Sequence, residues 1–141
     1  MDTFDRVADA GVVAGIGVAA VEENAACARR LEAMGELYAR RAPEDGDERT
    51  GWLVDGYESL AAEVAAELGI SRGRARGQLR YAIQLREKLP RLMAVFLTGA
   101  IDMRMVIRVV SRMELITDAE LVDQLDAKCE CESPQCSATQ R

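Results

Sequence analysis

The residues in this chain best suited to binding chemistry are the arginines that follow Ser71. Four arginines occur within nine residues, Arg72 to Arg80, in the stretch "SRGRARGQLR". A guanidinium group donates several hydrogen bonds in a planar fork, which suits phosphate oxygens and the edge of guanine. The pattern indicates a helix that binds nucleic acid or another anionic partner.

The charge of the chain is unevenly distributed. The 141 residues have a net formal charge of -6, whereas residues 72–91 carry seven basic side chains and one acidic one, net +6. A local basic segment in an acidic protein predicts a surface for nucleic acid or for an acidic partner. The alternative is that the basic helix pairs with the acidic helices of its own fold.

The composition also excludes several classes of enzyme. The chain contains no histidine, which excludes Ser–His and Cys–His catalysis, histidine-ligated metal sites and nucleases with a histidine base. Cys129, Cys131 and Cys136 form a C-x-C-x4-C pattern, but a structural zinc site takes four ligands, usually as two pairs. We therefore expect no enzymatic activity, no metal, no cofactor and no small-molecule substrate.

Composition and periodicity predict an all-α fold, because alanine, leucine, glutamate and arginine favour helix. Apolar residues between Val18 and Arg41 recur about every 3.6 residues, which predicts a long first helix. A polar stretch at residues 42–51 predicts a loop. Five further helices are predicted at about residues 57–68, 72–89, 91–97, 102–113 and 118–127, with Thr117 or Asp118 as the cap of the last.

The two ends of the chain differ from its helical middle. We divide the chain into a flexible or partly helical lead-in at residues 1–17, a helical domain at 18–127 and a disordered, cysteine-bearing tail at 128–141. The longest apolar run, Gly11–Val21, is shorter than the about 20 residues that span a bilayer. Acidic residues precede it, unlike the start of a signal peptide. We therefore expect a cytoplasmic protein with no membrane partner.

The residues from Glu58 to Ala82 have the layout of a helix–turn–helix motif. Gly69 is predicted to be left-handed at the end of the second helix, and Ser71 to cap the third. Gln78 stands where such motifs usually carry an apolar residue, and Leu79 would take that role. The residues expected to form the motif are Ala65, Leu68, Gly69, Ile70, Ser71 and Leu79. A simple helical hairpin with a glycine turn would show a similar pattern, so both interpretations stay open.

The polar arc of the third helix supplies the candidate DNA contacts. These candidates are Arg72, Arg74, Arg76, Gln78, Arg80, Gln84 and Lys88. We expect the basic side chains to contact phosphates, and Gln78 or Gln84 to reach base edges. Gly73 and Gly77 lie on the same arc and would admit either a phosphate strand or a partner helix.

A second basic line lies further along the chain. Arg104, Arg108 and Arg112 are spaced at i, i+4 and i+8, so they share one face of the fifth helix. This line would either extend the first basic patch or pair with acidic residues of the next helix, namely Asp118, Glu120 and Asp123.

Residues Trp52–Asp126 also resemble a known family. The stretches "ELGISRGRARGQL", "LREKLPRL", "TGAIDMRMV" and "LITDAELVDQLD" are similar to those of the mycobacterial 13E12 repeat proteins, an actinobacterial family of unknown function. The end of the first helix, "ELYARR", also fits, so the resemblance covers residues 20 to about 128. In that family the helical region usually precedes an HNH endonuclease module, which depends on histidines. The resemblance thus implies a nuclease-associated helical domain, truncated before the nuclease, and it transfers no residue roles.

The sequence therefore predicts a non-catalytic DNA-binding module of helix–turn–helix type, with double-stranded DNA as its partner. Three alternatives remain open at this point. The chain would otherwise be a helical interaction or oligomerisation module, binding itself or another helical protein. The second alternative is a nuclease half that works with a separate catalytic chain, and the third is a non-functional relic of a nuclease-associated protein.

Overall fold

The computed structural model describes residues 8–44 and 47–131, and this part of the chain forms six α-helices and no strand. They are α1 (Asp9–Arg41), α2 (Asp47–Leu68), α3 (Arg72–Glu87), α4 (Pro90–Leu97), α5 (Met103–Met113) and α6 (Ala119–Cys131). The predicted all-α class is confirmed. The predictions made for residues 1–7 and 132–141 lie outside the described residues.

Three helices are longer than the sequence predicts. α1 begins at Asp9 rather than Val18, and α2 begins at Asp47 rather than Tyr57, so the predicted loop at residues 42–51 is shorter. α6 continues to Cys131, into residues assigned to the tail. The sequence predicts helix ends at these places because glycines or charged residues occur there. An existing helix nevertheless extends through them, because each added residue also adds a backbone hydrogen bond.

The core lies where α3 packs against α1 and α2. Buried side chains on α1 and α3 recur every three or four residues, so each helix turns one apolar face inward. They are Ala28, Leu31, Met34 and Tyr38 on α1, and Ala75, Leu79, Ala82 and Leu85 on α3. Gly35 allows the close approach, because a Cβ there would lie 3.2 Å from the backbone oxygen of Ala82. This packing fixes which residues of α3 face solvent.

The turn between α4 and α5 is fastened to α1 through Gly99. Gly99 has a left-handed backbone, with φ of +80°, and its carbonyl oxygen accepts a hydrogen bond from Asn24 Nδ2 at 3.1 Å. A Cβ at Gly99 would collide with the backbone carbonyl of Val21. Asp102 then caps α5, its Oδ1 accepting a hydrogen bond from the backbone N–H of Met105 at 2.8 Å. The turn therefore sets where α5 lies relative to α1.

α6 packs against α4 and is capped by Asp118. Asp118 Oδ1 accepts hydrogen bonds from the backbone N–H groups of Glu120, at 3.0 Å, and of Leu121, at 3.3 Å. Of the two caps predicted, Thr117 and Asp118, the carboxylate of Asp118 is the one used.

The first half of α1 extends beyond the core. The side chains of Val13, Ile16 and Val18 are 66%, 66% and 59% exposed. By length and composition alone, α1 could cross a membrane, because its most apolar window of 18 residues has a mean hydropathy of 1.3. None of that window is buried. Signal sequences and core helices of soluble proteins pass the same test. The predicted cytoplasmic location stays a prediction.

Candidate nucleic-acid interface

The turn between α2 and α3 has the local geometry that the sequence predicts. Gly69 is left-handed, with φ of +63°. The N–H of Gly69 donates to the carbonyl of Ala66 at 3.4 Å, and the N–H of Ile70 donates to that of Ala65 at 3.0 Å. This pair of bonds is a Schellman motif, which ends a helix. Ser71 Oγ then accepts a hydrogen bond from the backbone N–H three residues later, at 3.3 Å, and caps α3.

Side chains around this turn anchor the hairpin in the core. Ala65 and Leu79 are buried, with 6% and 0% of their surface exposed. Leu68 and Ile70 are partly buried and pack against the same core. Leu79 occupies the buried position that Gln78 does not fill. These contacts hold α3 against α2 and leave its opposite face to solvent.

The solvent face of α3 is open along its two glycines. A Cβ at Gly77 would meet nothing within 4 Å, and a Cβ at Gly73 would meet only Ser71 Oγ, at 4.0 Å. Gln84 is half-buried on this helix. Three cations of α3 and its C-cap are exposed and form no ion pair with another described residue, namely Arg72, Arg74 and Lys88. Gly73 lies on the exposed part of this face, whereas Gly77 is half-buried where α1 and α5 approach α3.

Two of the predicted DNA contacts are engaged inside the molecule. Arg76 Nη1 lies 3.1 Å from Glu58 Oε1 of α2, and Arg80 Nε lies 3.4 Å from Glu114 Oε1, just after α5. Arg80 Nη2 also donates to Tyr81 Oη at 3.2 Å, with the guanidinium carbon 5.0 Å from the ring centroid. The expectation that all basic side chains of α3 project freely is therefore corrected for these two. Glutamates of neighbouring helices lie within their reach.

The second basic line, on α5, has no such partners. Arg104, Arg108 and Arg112 are exposed, and none forms an ion pair with another described residue, including the acidic residues of α6. Met103 and Ile107, which precede Arg104 and Arg108 in the chain, line a cleft together with residues of α3. The α5 line is therefore carried by a helix whose Met103 and Ile107 meet α3, while its arginines are exposed.

This cleft, of about 250 Å³, lies where α1, α3 and α5 meet. Its lining contains two guanidinium groups and no carboxylate, and comprises Arg30, Leu31, Arg74, Gly77, Gln78, Tyr81, Met103 and Ile107. Gln78 Oε1 is buried and has no hydrogen-bond partner among the described residues. Sequence reasoning missed Arg30 and Tyr81, because their position beside Arg74 depends on how the helices pack.

A larger groove, of about 620 Å³, runs between α1 and α2. Most of its lining is apolar, from Ala33, Met34, Leu37, Val64, Ala66 and Leu68. Glu63, also in the lining, lies with Oε1 2.7 Å from Arg41 Nη1. The hydrogen bond between them lowers the pKa of Glu63 and raises that of Arg41. This groove suits an apolar side chain rather than an anion.

Metal-binding side chains do not cluster in the described ranges, 8–44 and 47–131. No set of three or more cysteine, aspartate and glutamate residues there is placed to hold a metal ion. Cys27 is half-buried and forms no disulfide with another described residue. Cys136 of the C-x-C-x4-C pattern lies outside the described residues, so the absence of a metal and of a cofactor stays a prediction.

Comparison with known proteins finds relatives that have no assigned activity. A family model described as "Domain of unknown function (DUF222)" matches residues 18–141. The "Uncharacterized protein in est 3'region" of Mycobacterium tuberculosis is 41% identical over 119 residues, covering 84% of this chain and 33% of that protein. Two further uncharacterised proteins of that organism, Rv3776 and Rv2100, are 41% and 40% identical. Those matches cover 84% and 86% of this chain and 22% of each relative. No solved structure matches the chain significantly.

Proposed function

Because the chain belongs to the DUF222 family, whose description assigns no activity, we propose its function from its own surface: a non-catalytic DNA-binding module of helix–turn–helix type. The observation that carries this proposal is a set of exposed cations on and beside α3 that have no ion-pair partner in the described part of the chain. They are Arg72, Arg74, Lys88, Arg104, Arg108 and Arg112. Duplex DNA is the polyanion that such a surface fits.

The position of α3 supports this function. Arg72 and Arg74 lie in its first turn, where the backbone N–H groups and the helix dipole also favour phosphate. Gly73 and Gly77 leave the backbone bare, so a phosphate strand can approach closely. Gln84 is the candidate for contact with a base edge. Gln78, the other candidate, lines the cleft beside α3, and its side-chain oxygen has no hydrogen-bond partner among the described residues.

The family resemblance indicates which domain would accompany this one in longer proteins. The chain spans between about a fifth and a third of the length of the relatives it matches, so those proteins have room for further domains. We assign the chain to the 13E12 repeat type and infer that, in longer members, an HNH module follows it. The catalytic chemistry would belong to that module, since this chain has no histidine. We expect the protein to bind DNA in the cytoplasm.

Fluorescence anisotropy with a labelled DNA duplex at low ionic strength tests the proposal. The test variant replaces the three unpaired cations of α3 and its C-cap with alanine, at Arg72, Arg74 and Lys88. A matched control removes the same charge from three cations of α3 that pair with glutamates, Arg76, Arg80 and Arg86. We expect the test variant to lose most of the affinity and the control to lose a small part. Equal losses, or a wild type that does not bind, would contradict the proposal.

A second candidate function is a helical interaction module that binds another copy or another helical protein. The observation that favours it is the exposed apolar start of α1, where Val13 and Ile16 are each 66% exposed, since uncovered apolar surface marks interaction sites. Light scattering of the wild type and of a Val13→Asp, Ile16→Asp variant tests it. A wild-type oligomer that the double change dissociates would favour this function. A Gly77→Leu variant tests, in the same experiment, whether a partner helix seats on α3.

A further inference from the structure

We infer that the cleft between α1, α3 and α5 binds one unstacked nucleobase with its phosphate, either within a DNA strand or as a free nucleotide. This inference rests on the proposed DNA-binding function and names the part of the DNA that this site takes. Three features of the cleft carry it: its size, an amide oxygen without a partner, and two arginines from different helices.

The cleft has a volume of the order needed for one planar nucleobase. Its volume of about 250 Å³ lies just below the range of about 300–1,000 Å³ found for pockets that hold drug-sized ligands. Leu31, Met103 and Ile107 give it apolar walls. Gly77 leaves one side bare, since a Cβ there would contact nothing within 4 Å. A glycine inside a helix is destabilising, and no packing in the described molecule requires this one, so the free space is available to a ligand.

The polar groups of the cleft match the edge and face of a base. Gln78 Oε1 is enclosed without a hydrogen-bond partner among the described residues, which is an unfavourable state for a buried carbonyl oxygen. A glutamine amide turns readily about its last torsion and carries both donors and acceptors, as the edge of a base does. Tyr81 also lines the cleft; the guanidinium group of Arg80 lies over its ring, and aromatic rings of this kind stack with bases.

Two arginines from different helices, Arg30 and Arg74, line the cleft, and Arg30 also borders the groove between α1 and α2. Arg74 of α3 has no ion-pair partner among the described residues. Among the described residues, Arg30 of α1 donates one hydrogen bond, to the thiol of Cys27 at 3.5 Å, which is weak because sulfur is a poor acceptor. Guanidinium groups bind phosphate in a bidentate manner. A cleft that combines arginines for a phosphate with apolar walls for a base fits a nucleotide better than it fits a carboxylate side chain.

The test compares two labelled duplexes that differ by one bulged adenine. An unpaired base is easily extruded from a duplex. Stacking such a base on an aromatic side chain raises the affinity for DNA about tenfold, so we expect the wild type to prefer the bulged duplex by about that factor. Gly77→Leu fills the cleft and should remove this preference. Gly73→Leu is the matched control, because Gly73 lies on the same face of α3 but outside the cleft; it should weaken binding of both duplexes by the same factor and so keep the preference. Circular dichroism melts of both variants check folding.

Competition with adenosine monophosphate separates the two sources of the ligand. If it displaces the bulged duplex, the cleft also takes free nucleotides; if it does not, and the duplex preference holds, the cleft takes a base within a strand. Equal affinity for the two duplexes with no competition overturns the inference and leaves the proposed function standing. A preference that survives in Gly77→Leu, or displacement by an oligoglutamate peptide and not by the nucleotide, also overturns it. If neither duplex binds, the proposed function fails. A calorimetric titration with adenosine monophosphate alone then tests the cleft: heat of binding supports a nucleotide site, and its absence overturns the inference.

Discussion

Asp126 of α6 caps the N-terminus of α4 by accepting a hydrogen bond from the backbone N–H of Leu92, with 2.9 Å between nitrogen and Oδ1. Its other oxygen, Oδ2, accepts from the N–H of Arg91 at 3.0 Å. The side chain is fully buried. Leu89, at the N-cap position, has no side-chain acceptor of its own, so a residue from a different helix satisfies the first turn of α4. The negative carboxylate also suits the positive end of the helix dipole.

Replacing Asp126 with alanine should strongly destabilise the fold. Two backbone donors, one buried and one partly buried, would lose their acceptor at a cost of about 1–3 kcal/mol each, so the free energy of unfolding should fall by roughly 2–6 kcal/mol. Asp126→Asn keeps one acceptor oxygen and should lose about half as much. Urea unfolding followed by circular dichroism measures both. Asp123→Ala, on an exposed position of the same helix, is the control and should stay within about 0.5 kcal/mol of the wild type. Equal stability of Asp126→Ala and this control would contradict the cap.

Gly99→Ala is expected to destabilise the protein more than Gly69→Ala does. Both glycines have positive φ, +80° and +63°, so alanine carries a left-handed penalty of about 1–2 kcal/mol at either site. At Gly99 the added Cβ would also collide with the backbone of Val21, whereas at Gly69 it would meet nothing within 4 Å. The total loss at Gly99 should therefore reach roughly 3 kcal/mol or more. Thermal unfolding of the two variants measures the difference, and equal melting temperatures would contradict the contact between this turn and α1.

Local features of the hairpin could be predicted from the sequence because they depend on neighbouring residues. A left-handed Gly69 and a capping Ser71 follow from the chemistry of a single turn. The ion pairs of Arg76 and Arg80 could not be predicted in the same way. Their glutamates, Glu58 and Glu114, come from other segments of the chain, and only the packing of α2 and α5 on α3 brings them within reach.

The cleft was beyond prediction for the same reason. Its two arginines, Arg30 and Arg74, lie on different helices, and its apolar walls include Met103 from a third. Their distances depend on how closely α1 approaches α3 at Gly35 and on how the turn at Gly99 places α5. A helical wheel assigns residues to faces of one helix, but it does not show which faces of two helices meet.

Glu36 gives the fold a dependence on pH. Its Oε1 lies 2.8 Å from Arg40 Nε and its Oε2 lies 2.9 Å from Arg86 Nη1, so it joins α1 to α3. The hydrogen bond from Arg40, followed by the charge of Arg86, lowers the pKa of Glu36 below its ordinary value of 4.5. The stabilisation is therefore fully present above the unfolded-state pKa, and it is lost as the pH falls through the lower folded-state pKa.

Glu36→Gln should accordingly lower the urea midpoint near neutral pH. Its difference from the wild type should shrink as acid protonates the wild-type carboxylate, so it should be smaller at about pH 3 than at about pH 7. Glu32→Gln, on an exposed position of the same helix, is the control and should show little difference at either pH. A deficit in Glu36→Gln that is equal at both values would show that its carboxylate does not stabilise the fold through its charge.

The salt dependence of DNA binding should distinguish free cations from paired ones. Each phosphate contact contributes about 0.9 to the slope of log K against log salt concentration for duplex DNA. Arg74→Ala and Arg108→Ala should each reduce the slope by about that amount, since neither side chain has an ion-pair partner among the described residues. Arg76→Ala should leave it nearly unchanged, because that arginine already pairs with Glu58 at 3.1 Å. Anisotropy titrations over a series of salt concentrations measure the slopes. If Arg74→Ala weakens binding without changing the slope, the contact is not with phosphate, and the basic surface of α3 serves another partner.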